Sequence, residues 1–80
     1  MNKEKLAEYI LEFENAKENK TVLSLEMIYY HNAIEGKQEA IEKFLVYSLW
    51  KKIAFANSYN VDKLIDLLSN IKVEVEVQNG

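Results

Sequence analysis

Cysteine, proline and arginine are all absent from this 80-residue chain, and glycine occurs only at Gly36 and Gly80. Without cysteine there is no disulfide and no thiolate zinc site, and nothing marks an oxidising compartment. Scarce glycine and missing proline remove the punctuation that many short strands and turns need, which points to a mainly α fold. All ten basic residues are lysine, and the net charge is −3. Bidentate recognition of phosphate, carboxylate or guanine is chiefly an arginine task, and nucleic-acid affinity rests on clustered cations, so both features argue against nucleic acid as a partner. Lysine, asparagine, isoleucine and tyrosine without arginine suit an AT-rich genome, such as that of a low-GC bacterium, its phage or another mobile element.

What the chain does contain is apolar surface. It is 49% hydrophobic and 29% charged, a globular balance at a length near the lower limit for one self-sufficient core. Residues 44–56 concentrate it: ten of the thirteen are apolar, and they point every way around a helix. As a helix this run spans about 20 Å against the roughly 30 Å of a bilayer core, and Lys51 and Lys52 interrupt it, so no membrane association is expected. The N-terminal residues carry acids and lack the apolar centre of a signal peptide, which gives a cytoplasmic location by default.

Four helices are expected in a single domain. Leu6, Tyr9, Ile10, Phe13 and Ala16 recur at helical spacing over residues 3–18, with Asn2 as cap. A second helix is expected over 22–35, capped by Thr21 or Ser24 and stopped by Gly36, with Leu25, Ile28 and Tyr29 on one face. The β-branched and aromatic content of residues 21–30 also suits a strand. The third helix, 37–57, presents a main stripe of Ile41, Phe44, Leu45, Ser48, Leu49 and Lys52. Asn60 caps a fourth, 61–69, and residues 71–77 alternate Ile/Val with Lys/Glu as a half-buried β-strand does. Such a strand needs a pairing edge.

The sequence reading is therefore a small four-helix domain with a C-terminal strand, assembled as a homodimer through the third helix or that strand. Tyr47 and Trp50 are the leading interface residues because they depart from the main stripe of the third helix; Phe55, Val73, Val75 and Val77 complete the set. Chemistry is thinly represented. His31, Glu35, Glu39 and Glu42 would align as a metal-binding stripe only if the second and third helices were continuous; the plainer reading is a solvated face, with no cofactor and no enzymatic activity. Lys51 and Lys52 could bind an anion, but such lysines more often lay their stems over apolar surface.

One local pattern has a known counterpart. His31-Asn32-Ala33-Ile34-Glu35-Gly36 resembles the inhibitory helix of Fic-domain adenylyltransferases and their small antitoxins, in which a Ser or Thr lies four residues before a Glu followed by Gly or Asn. The resemblance implies that Glu35 would be the carboxylate occupying the place of a nucleotide γ-phosphate. The chain departs from the pattern at its first position, His31, and without proline it has no catalytic His-Pro-Phe motif. The leading functional expectation is a small protein-binding module, an inhibitor, adaptor or regulator with an unidentified protein target. The alternatives are a Fic-type antitoxin acting through Glu35 and a helix-turn-helix regulator built from the second and third helices.

Overall fold

The computed structural model describes residues 2–56 and 58–70, and these form four helices: α1 (Lys3–Glu18), α2 (Val22–Ile34), α3 (Gln38–Ala54) and α4 (Val61–Ser69). Two begin as the sequence indicates. The Asn2 side chain accepts the Glu4 N–H at 2.8 Å, and the Asn60 side chain accepts from Asp62 and Lys63, each satisfying amides that the first turn leaves free. The ambiguous residues 22–30 are helical. Thr21 occupies the N-cap position of α2, yet its side chain makes no cap. It belongs instead to the end of α1, where its N–H reaches the Ala16 carbonyl at 2.8 Å and the Lys20 N–H reaches that of Lys17 at 3.3 Å. This closure needs a left-handed residue between them, and Lys20 supplies it with φ 59°, a strain of about 1–2 kcal/mol that glycine would not carry. At the end of α2 the left-handed position falls on Gly36, φ 84°, as its place in the sequence suggests. The third helix stops at Ala54, three residues short of the expected 57. Among the described residues there is no strand; the expected strand at 71–77 lies outside them.

α1 is the centre of the bundle, touching all three other helices, while α2 packs chiefly on α3. Its Leu6, Tyr9, Ile10, Phe13 and Ala16 are all buried, as their spacing requires. Phe13 is the hub. Its ring centroid lies 5.6 Å from Tyr29, 5.4 Å from Tyr47 and 5.4 Å from Trp50, the first two edge-on. Val46, Ala54, Leu64, Ile65 and Leu68 close the core around this cluster.

The packing corrects the orientation read from the sequence for α3. Tyr47 and Trp50, expected at an interface, are 1% and 0% exposed, whereas Leu45 of the expected inward stripe is exposed. Val46, Tyr47, Trp50 and Ala54 also share a helical face, and that face carries the two largest rings of the helix. Turning it inward removes the most apolar area from water, at roughly 25 cal/mol per Å².

Buried rings with polar tips need acceptors, and α1 provides them on both shoulders of Phe13. Glu14 accepts the Trp50 indole N–H at 2.8 Å and the Tyr59 hydroxyl. Glu12 accepts the Tyr29 hydroxyl and pairs with Lys43 at 3.1 Å, whose ammonium also lies 4.7 Å above the Tyr29 ring. Burial alone would raise the Glu12 carboxyl; the Tyr29 hydroxyl and the Lys43 ammonium outweigh it and hold the group below the usual carboxylate value. Lys17 ties the far end of α1 to the Ala54 carbonyl at 3.2 Å and to the Tyr59 hydroxyl at 3.3 Å. The Tyr47 hydroxyl is buried without a hydrogen-bond partner, and the Glu26 carboxylate is paired with Lys51 at 2.8 Å.

These ties generate two expectations. Glu14→Ala strands the fully buried Trp50 N–H and should destabilise the fold by about 2–3 kcal/mol, while Glu14→Gln, which keeps an acceptor, should cost about 1 kcal/mol or less. Urea midpoints at constant m-value separate the two. At alkaline pH, burial pushes the Tyr47 and Tyr59 phenols up to about 12, with the Glu26 charge adding to the first and the Glu14 hydrogen bond to the second; burial raises Tyr29 as well. Unfolded tyrosine ionises near 10, so between pH 10 and 12 the folded state holds protons that the unfolded state has lost, and stability falls as pH rises. Each such tyrosine contributes roughly 1.4 kcal/mol per pH unit to this slope. Helicity and tyrosinate absorbance should therefore change together, and Tyr47→Phe should make the decline shallower.

Candidate interaction face

Thirteen residues make up α2, and few of them are needed by the core. Tyr29 is fully packed, and Val22 and Leu25 are partly so. On a flank of the same helix Leu23, Met27, Tyr30 and Ile34 are 72%, 62%, 53% and 62% exposed. Their spacing of four, three and four places them in one line, the pattern that forms a seam when two helices pack. Ile28, expected to point inward with Leu25 and Tyr29, is exposed as well, on the other flank. The 100° step per residue explains the difference, since a face centred on Tyr29 and Val22 turns residue 28 away.

The electrostatics of this face are unusual for a protein that is 29% charged. Within α2 the one formally charged side chain at neutral pH is Glu26, and Lys51 of α3 already neutralises it at 2.8 Å. The Tyr30 ring lies 6.1 Å from Phe44, carrying the apolar surface from α2 onto α3. At the opposite end of α2 a shallow groove of about 330 Å³ is lined by Lys17, Lys20, Val22, Leu23, Lys51 and Phe55. Phe55 itself is exposed and has the Lys17 ammonium 5.7 Å from its ring. Large apolar side chains are thus aligned in water along one side of α2.

The residues singled out from the sequence are dispersed. Phe55 is on the surface, Tyr47 and Trp50 are in the core, and Val73, Val75 and Val77 lie outside the described residues. His31 and Glu35 are exposed at the end of α2, with Glu35 3.6 Å from Lys37. Gly36 separates them from Glu39, whose carboxylate is taken by Lys5 at 3.2 Å and by the Tyr9 hydroxyl at 3.3 Å. Lys5 accordingly holds the Glu39 carboxyl below its ordinary value. Among the described residues no three His, Cys, Asp or Glu side chains are grouped to hold a metal ion, and no helix is long and apolar enough to cross a membrane. Compared with family models, curated proteins and solved structures, the chain matches none.

Sequence reasoning missed Leu23, Met27 and Ile34, and with them the line they form with Tyr30. Their four-three-four spacing was visible, but so was an apolar residue on every other face of the same helix. If the fold does not depend on this line, Met27→Glu should leave the unfolding free energy from urea titration within about 0.5 kcal/mol of the parent, whereas Val46→Ala in the core should cost about 1–2 kcal/mol. An equal loss for both would show that α2 packs more tightly than its exposure indicates.

Proposed function

We propose that the protein is a small protein-binding module, an inhibitor, adaptor or regulator, that acts by contact through the outward line of α2. The observation that carries this reading is the solvent exposure of Leu23, Met27, Tyr30 and Ile34 on a helix whose formal charge is already neutralised internally. Such a surface is worth roughly 25 cal/mol per Å² to whatever covers it, and leaving it in water serves no purpose in the fold. The contact surface expected on α3 is thereby reassigned to α2. A homodimer remains part of the proposal, as does a protein target of separate identity.

The two alternatives gain no observation of their own. An antitoxin role would use Glu35, which is exposed and paired with Lys37. A helix-turn-helix role would present the start of α3, where Glu39 is tied back to α1. Affinity recovery from the native host with parent and Met27→Glu proteins tests the main reading. A specific protein should be retained by the parent, lost with the variant, and bound again as purified components. Recovery that is indifferent to Met27→Glu but abolished by Glu35→Ala would overturn it in favour of the antitoxin role.

A further inference from the structure

We infer that the outward line of α2 pairs with the same line of a second copy, antiparallel and about a two-fold axis passing between Met27 and Tyr30. The inference rests on the contact role proposed for α2 and names its occupant. Spacing is the first argument. Intervals of four, three and four read the same in both directions, so a two-fold axis at the midpoint sets Leu23 opposite Ile34 of the second copy and Met27 opposite its Tyr30. Every exposed apolar member of the line then meets another, with none left facing a polar residue. Parallel pairing would instead put Leu23 against Leu23 and align the two helix dipoles unfavourably.

Charge is the second argument. In a self-complementary interface a charge close to the two-fold axis lies within a Debye length of its own copy, so if unpaired it is repelled by its duplicate. Here the one formal charge on α2, Glu26, is neutralised within its own chain by Lys51. A partner of different sequence would require no such neutrality. Area sets the strength. Four half- to three-quarters-exposed side chains offer on the order of 500 Å² per copy, short of the roughly 800 Å² per partner of a standard stable interface. The pairing is therefore weak and concentration-dependent, with Kd on the order of 100 μM.

Sedimentation equilibrium of the full chain from about 5 μM to about 1 mM brackets that value. The mass should rise from 9.4 kDa toward twice that figure, and Met27→Glu should weaken association at least about tenfold while keeping parental helicity. Because the chain has no cysteine, single L23C and I34C variants report the register. Mixed and oxidised, they should form the L23C–I34C cross-link in preference to either self-link. A monomer across the whole range, association indifferent to Met27→Glu, or preferential L23C self-linking would each overturn the pairing. A monomer that still binds a host protein through Met27 would sink the second copy as occupant and leave the contact role of α2 standing; a monomer whose host contacts ignore Met27 would sink both.

Discussion

Glu12 and Glu14 stand on either shoulder of Phe13, and the arrangement of the bundle follows from the hydrogen bonds they accept. Each buried donor left without an acceptor costs about 1–3 kcal/mol, and in this core Trp50 and Tyr29 have acceptors while the Tyr47 hydroxyl goes without one. On a helix, residues one before and one after a buried position lie about 100° to each side, at the border between core and water. Carboxylates at those borders can receive groups from inside while remaining partly hydrated. Glu14 takes Trp50 and Tyr59, which come from α3 and from the segment leading into α4. Glu12 takes Tyr29 from α2 and Lys43 from α3. Three elements are thus fastened to a single turn of α1, with Phe13 filling the space between them.

Apolar surface displaced from one place reappears in another. Among the described residues several large apolar side chains stay exposed, in keeping with the smaller share of surface that small domains bury. By turning Tyr47 and Trp50 toward α1, the fold uses its covering capacity on the two largest rings of α3. α2 receives what is left. It gains Tyr29 and partial cover for Val22 and Leu25, and its remaining large side chains stay in water. The exposed apolar line thus lies on α2, the helix with least contact to α1, and not on α3.

Element boundaries were legible wherever a single residue type has one physical use. Asn2 and Asn60 cap because their short side chains reach free amides, and Gly36 ends α2 because it accepts a left-handed backbone. Lys20 takes the same left-handed conformation at the end of α1 although lysine is not selected for it, and the Thr21 N–H bond to the Ala16 carbonyl closes the helix there. The inward faces of α1 and α4 were legible from period alone, because their other faces are polar. Those of α2 and α3 were not. When every face is apolar, periodicity offers several equivalent answers, and the choice passes to long-range partners such as Glu14, thirty-six residues from Trp50. The outward line of α2 was hidden for the same reason: its spacing is regular, but nothing in the sequence says which of several regular lines the rest of the molecule will use.

The positions of the polar ties also determine how α2 can be used. Tyr29 is fastened to Glu12 and Glu26 to Lys51, so both ties join α2 to its own bundle and neither engages Leu23, Met27, Tyr30 or Ile34. Covering that line accordingly breaks no internal hydrogen bond and strands no charge, and the apolar area removed from water is offset only by the ordering of the partner. A helix held by side-chain ties behind its exposed surface is presented in one orientation before anything meets it, which lowers the conformational cost of association. The features that fasten α2 to the bundle are in this way separate from its exposed apolar line, and substitution in one set need not disturb the other.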